Sequence, residues 1–422
     1  MQMQQSVPGT PSGKAAPVPL RALLAAAGAT TAMAFGFGAL ALPSVFIRPL
    51  EAEFGWSRAD LSLAYTLSTV GMALGGLFWG RLSDRLDARI LLACGSAAMV
   101  AALGAFTFAQ SLWHLYAASL VLGGLGFACL YAPVLSVTAL WFERRRGLAM
   151  GIVTAGGALG QGVMPYTANL LIDSVGWRPA YAILAAATLV ALGLLMPAVR
   201  RPPVAMAPPL QAAGTGSSGD GRPSPVLLLA AAAFLCCACM GFPLVHLASF
   251  VTAVCGSSDL GSTSLLVAML FGTVGRVAFG LLADRIGNLP AYATASFMQT
   301  ACVAIYPLLD NQISLLALSA VFGFGFAGNM TCLILCVREF VPAERFGQAL
   351  GTVMMVAWAG MGVGGYLGGL AYDGFASYTP AFLIAFAAGV ANLGTIAMLA
   401  AGATTRGKAT PSGLAPAPSP SR

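Results

Sequence analysis

Four polar side chains stand inside long apolar runs of this 422-residue sequence: Tyr131, His246, Arg276 and Asn329. Arg276 is the most demanding of them. Its neighbours are Phe271, Gly272, Val274, Val277 and Phe279, and a guanidinium placed in lipid costs about 3 kcal/mol or more unless it faces water or an anion. The planar fork of arginine matches a carboxylate through two parallel hydrogen bonds. Two roles fit: recognition of an anionic ligand, or a bridge to a neighbouring helix. No Asp or Glu falls in the middle of any other apolar run, which favours the ligand.

His246 lies in Phe242-Pro-Leu-Val-His246-Leu-Ala-Ser-Phe250. A neutral imidazole donates one hydrogen bond, accepts another and titrates near physiological pH. It could therefore bind a carboxylate or hydroxyl and accept a coupled proton, or simply bridge two helices. Tyr131 and Asn329 could each donate to a bound anion, although uncharged polar groups in membrane helices also serve as interhelical contacts. His114 sits at the entrance of a run, where an interfacial position is expected.

Metal and covalent chemistry have little support. The nine cysteines sit almost entirely within apolar runs and show no ligand spacing with His or Asp, as expected of small buried hydrophobes. No acid pair occurs in the runs, and no second His stands beside His246. An intramembrane hydrolase would need such a pair, metal ligands or a nucleophile with its base. A Gly-x-x-x-x-Gly-Lys loop is also missing, which argues against direct ATP drive. No cofactor, no metal and no enzymatic activity are expected.

The elements that position these residues follow from composition. Apolar residues make up 58% of the chain and charged residues only 8%, with a mean hydropathy of +0.83. Soluble domains carry about 25% charged residues, so lipid must solvate much of this chain. A span needs roughly 20 apolar residues, and without water its backbone must be helical. Clean runs cover residues 90–113, 147–172, 179–199, 286–309 and 374–405. Others begin near Leu23, Ala59, Leu115, Val226, Ser262, Ile313 and Phe346. Twelve spans result.

Of the 21 Lys and Arg, only Arg48, Arg58 and Arg178 fall on one side of this arrangement, and Arg276 falls within it. All the others lie on the side of the termini, which the positive-inside rule assigns to the cytoplasm. The net charge of +7 is thus a topology signal and gives no reason to expect nucleic acid as a partner.

The chain is also duplicated. Gly80-Arg-Leu-Ser-Asp84-Arg85 recurs as Gly280-Leu-Leu-Ala-Asp284-Arg285, and Arg145-Arg-Gly147-Leu-Ala-Met-Gly151 as Arg345-Phe-Gly347-Gln-Ala-Leu-Gly351. Asp173 matches Asp373 at the same spacing. The expected domains are two six-helix bundles, residues 22–199 and 225–402. A Pro/Gly/Ala/Ser-rich cytoplasmic linker, 200–224, joins them, and disordered tails, 1–21 and 403–422, flank them. Glycine runs such as Gly156 to Gly162 and Gly360 to Gly365 should permit close helix approach.

Two parallel repeats of this kind describe the major facilitator fold, and Gly80-x-x-x-Asp84-Arg85 followed by Arg89 resembles the cytoplasmic signature of that superfamily. Asp87 stands where a second glycine is usual, whereas the second copy keeps Gly287. Three stretches resemble the monocarboxylate transporter and oxalate–formate branch: Ser44 to Arg58, Trp141 to Gly151, and Gly272-x-x-x-Arg276 running into Gly280. The resemblance implies substrate binding between the halves, a substrate-binding Arg at 276, and rocking of the halves about the site. In proton-coupled animal members an acid precedes this Arg by one turn and a Lys lies late in the first helix. Here Gly272 and Ala41 take those places, and residues 347–372 lack the oxalate exchanger's Lys.

The expectation is an all-α integral membrane transporter of a small organic anion, most simply a monocarboxylate, working by symport, uniport or exchange. A single fixed cation suits a monovalent anion, since a second charge would be left unpaired. Efflux of a drug or amphiphilic metabolite is the alternative. Asp84, Arg85, Asp284 and Arg285 are expected to bias the conformational equilibrium. The protein is expected as a monomer in the lipid of a bacterial inner membrane, with both termini cytoplasmic.

Overall fold

The computed structural model describes residues 19–82, 86–142, 146–199, 225–342 and 345–408, and all regular structure among them is helical. The first span is built from α1 (Leu20–Ala41) and α2 (Pro43–Phe54). It breaks where Pro43, lacking an N–H, starts the second segment. Next come α3 (Arg58–Leu82), α4 (Ala88–Thr107), then α5 (Leu112–Leu120) and α6 (Ala128–Trp141) joined by a π-helical turn, Val121–Phe127. The first half closes with α7 (Arg146–Val175) and α8 (Trp177–Leu195). The second half contains α9 (Pro225–Cys255), α10 (Ser258–Ile286), α11 (Asn288–Ile305), α12 (Gln312–Phe340), α13 (Phe346–Phe375) and α14 (Thr379–Lys408).

Ten segments are long and apolar enough to cross a membrane by length and composition. The remaining two are α7, of 30 residues, and α11, of 18. Gly, Gln, Asn and Thr dilute the apolar content of α7, which packs on both α1 and α10 and leaves Ile152, Leu159, Val163 and Leu170 exposed on a third side. The result is twelve spans in two six-helix bundles.

The two expected tails, the linker, Asp84 and Arg85 lie outside the described residues, apart from the tail residues taken up by α1 and α14. α14 continues past the expected boundary to Lys408. Apolar content ends a span at the lipid boundary, but backbone hydrogen bonding carries a helix beyond it. Asp87, the departure from the second glycine, caps α4 by accepting the N–H of Arg89 at 3.0 Å. Gly287 keeps a φ of 93° at the end of α10, a conformation that favours glycine.

The glycine runs do pack helices closely, and in the same way in each half. A Cβ at Gly156 or Gly160 would overlap the carbonyls of Thr30 and Ala34 of α1. One at Gly360 or Gly364 would overlap those of Phe234 and Ala238 of α9. The halves then meet along two seams, α3 against α13 and α7 against α10.

Candidate functional site

Arg276 projects from α10 about 15 Å before the helix end on the terminus side, at a rise of 1.5 Å per residue. It reaches across the seam to the first half, where Nη1 donates to the Thr154 carbonyl oxygen of α7 at 2.5 Å. Nε is buried without a partner. Among the described residues Arg276 forms no ion pair; those present are Arg58–Glu51 and Arg178–Glu53. The Tyr131 hydroxyl, from α6, is an electrostatic neighbour of the guanidinium.

Tyr131 belongs to an aromatic group that spans both halves. Phe37 of α1 packs edge-on to Phe127 with ring centroids 4.7 Å apart and to Tyr131 at 6.3 Å. Phe127 and Tyr131 lie 5.4 Å apart. Trp358 of α13 contributes from the other half, 6.1 Å from Phe37. Phe127 is buried, whereas Phe37, Tyr131, Trp358, Thr154 and Arg276 all keep accessible surface. The π-helical turn ends on Phe127, one helical turn before Tyr131, so it sets the rotation of both rings.

Of the four polar residues singled out above, the structure brings Arg276 and Tyr131 together. It places His246 elsewhere, fully buried where α9 meets α3 and α13. Its Nε2 donates to the Gly365 carbonyl at 2.9 Å and lies 3.2 Å from Ser62 Oγ, whose proton goes to the Arg58 carbonyl at 2.6 Å. Nδ1 is left as a buried acceptor without a partner. Asn329, also fully buried, sits inside the second half. It accepts from Ser296 Oγ at 2.8 Å and donates to Gln299 Oε1 at 2.7 Å, and Asn392 joins the same network. These bonds hold α11, α12 and α14 together. Asp284 and Arg285 are exposed at the terminus-side end of α10.

His246 has functional neighbours of another kind. Beside it, at the end remote from the termini, the two halves are latched. Asp373, near the end of α13, accepts the backbone N–H groups of Arg58 at 3.0 Å and Ala59 at 2.7 Å. The Arg58 side chain pairs with Glu51 at 2.9 Å, donates to the Tyr378 hydroxyl and stacks 3.7 Å over the Tyr372 ring. On the other seam, the matching Asp173 accepts from Asn169 at 3.2 Å and Ser258 at 3.4 Å, while Asn169 also reaches Asp259 at 3.1 Å. Above this latch lies a vestibule of about 460 Å³ lined by Arg48, Arg58, Asn169, Asp173 and Ser249. In the sequence Arg58 stands out only as a loop charge that ends the Ser44 to Arg58 stretch. Its partner Asp373 stands out there only as the match of Asp173.

The family model for the Major Facilitator Superfamily matches residues 24–365. Monocarboxylate transporter 13 of Bos taurus is 29% identical over 373 residues, covering 86% of this chain and 85% of that protein. An agnestins efflux protein of Paecilomyces divaricatus is 26% identical over 276 residues, 65% of this chain, and the match spans only 63% of its length. Among solved structures, the nucleoside transporter NupG superposes with a TM-score of 0.71 at 12% identity, covering 90% of this chain and 99% of that one. With a family match across most of its length and twelve helical spans among the described residues, this chain belongs to the Major Facilitator Superfamily and is a multi-pass membrane transporter.

Proposed function

We propose that this transporter carries a small organic anion, most simply a monocarboxylate, with Arg276 as its charge partner. One observation carries the reading: a mid-membrane guanidinium at the seam between the halves, bonded to a carbonyl, with Nε unpartnered and no acidic ion-pair partner among the described residues. A buried unpaired charge is costly, and a bound carboxylate would offset that cost through a bidentate pair. Tyr131 would donate a further hydrogen bond from the first half. Binding both halves at once lets cargo bias their relative position, which alternating access requires. The similarity to a protein named monocarboxylate transporter supports the same cargo class.

The helices are latched at the end remote from the termini. With cytoplasmic termini in a bacterial inner membrane, this is an inward-facing arrangement. Asp84 and Arg85, together with Asp284 and Arg285, would then pair when the cytoplasmic side closes. Efflux of an amphiphilic molecule is the second reading, favoured by the similarity to an efflux protein.

Uptake of a radiolabelled monocarboxylate into proteoliposomes tests the assignment. Arg276→Ala should abolish uptake; uptake equal to that of the unmodified protein would sink the anion reading. Repeating the assay with and without an imposed pH gradient separates proton symport from uniport and exchange.

A further inference from the structure

We propose that the preferred cargo is an aryl monocarboxylate, one whose carboxylate sits directly on or close to an aromatic ring. The proposal rests on the reading that Arg276 binds a carboxylate and adds what holds the rest of the molecule. The observation is the ring group that begins at Tyr131, the aromatic neighbour of the guanidinium, and runs through Phe37 to Trp358. Phe37, Tyr131 and Trp358 come from three helices and both halves, lie within 6.3 Å of one another through Phe37, and all keep accessible surface. All three pack against the core on one side but keep a free side, unlike the fully buried Phe127.

Their geometry is particular. Phe37 meets Tyr131 at an interplanar angle of 82° and Trp358 at 44°. Faces and edges are therefore presented in different directions on the two sides of Phe37. An aromatic guest can set its positive edge on one face and its negative face against another edge, whereas a saturated guest of equal size can only fill the volume. At the other end the guanidinium and the Tyr131 hydroxyl, electrostatic neighbours, hold the carboxylate. Because Trp358 belongs to α13 and Phe37 to α1, the ring set is complete only when the halves adopt this arrangement. An aryl guest would therefore favour it over the opposite one.

Calorimetric titration of the purified full-length protein with benzoate, cyclohexanecarboxylate, acetate and benzamide tests the inference. Benzoate should bind roughly three- to tenfold more tightly than cyclohexanecarboxylate, and acetate more weakly than either. Trp358→Leu should shrink the preference for benzoate over cyclohexanecarboxylate, and Trp358→Phe should restore it, which separates loss of the ring from loss of the fold. Equal affinity for the aromatic and saturated acids, or a preference that survives Trp358→Leu unchanged, would overturn the aryl assignment and leave the carboxylate reading standing. Benzamide binding as tightly as benzoate, or no acid binding at all, would overturn the carboxylate reading and this proposal with it.

Discussion

Asp373 accepts the backbone N–H of Arg58 at 3.0 Å, so a carboxylate near the end of α13 caps a helix that belongs to the other half. Its second oxygen takes the N–H of Ala59 at 2.7 Å. An anion at a helix N-terminus satisfies donors that have no intrahelical partner and complements the helix dipole. Here the cap is supplied in trans, and it lasts only as long as the remote end stays closed.

Asp373→Ala should therefore shift the protein towards opening at that end. Losing a cap costs ~1–2 kcal/mol, a shift of roughly five- to thirtyfold in a two-state equilibrium. Thr69, 1% exposed and packed on Gly362 of α13, reports it. In a Thr69→Cys protein with the exposed Cys94 and half-buried Cys255 changed to Ser, labelling by a membrane-impermeant thiol reagent should accelerate on adding Asp373→Ala. Asp373→Asn, which keeps one acceptor, should fall between.

Replacing Arg276 with Lys should retain charge but lose the fork. A hydrogen bond to a charged group contributes about 1.5–3 kcal/mol, so carboxylate affinity should fall roughly tenfold or more. Arg276→Ala should bring no measurable binding. Equilibrium binding of a monocarboxylate to the three proteins gives the order directly.

The close approach of α7 to α1 depends on Gly160, where a Cβ would meet the backbone of Ala34. Gly160→Ala should destabilise by about 1–3 kcal/mol, the usual range for overpacking. Gly151→Ala on the same helix meets nothing within 4 Å and should be neutral or stabilising by up to ~1 kcal/mol. Thermal unfolding midpoints in detergent should move in opposite directions or leave Gly151→Ala unchanged.

Ala376 ends α13 with a φ of 50°, whereas its counterpart Gly176, following α7, has a φ of 86°. A left-handed residue other than glycine carries a penalty of about 1–2 kcal/mol. Ala376→Gly should therefore raise the unfolding midpoint without altering carboxylate affinity.

Much of the architecture is legible in the amino-acid sequence because membrane insertion is governed by local composition. Apolar length counts spans, cation placement orients them, and the recurrence of Asp84-Arg85 as Asp284-Arg285 reveals duplication. The demand made by Arg276 is also local: a guanidinium among Phe271, Val274 and Val277 must find an anion or water wherever its helix packs. The matched Asp173 and Asp373 read as a sign of duplication, and their spacing carries no indication that each caps or contacts a helix of the opposite half.

Which polar residues meet was decided by tertiary structure alone. Tyr131, His246 and Asn329 read alike as single polar groups in apolar helices, yet only Tyr131 comes beside Arg276. His246 is turned to Ser62 and Gly365, and Asn329 to Ser296 and Gln299. The physical reason is rotation. A helix turns about 100° per residue, so neighbours in contact are set by its rotation and crossing. In this chain those depend on glycine contacts such as Gly160 on Ala34, and on the π-helical turn before Tyr131. The sequence by itself determined a duplicated twelve-span transporter with a cation in a membrane helix in need of an anion; packing between distant helices decided that Tyr131 lies beside it, in a ring group that reaches Trp358 of the other half.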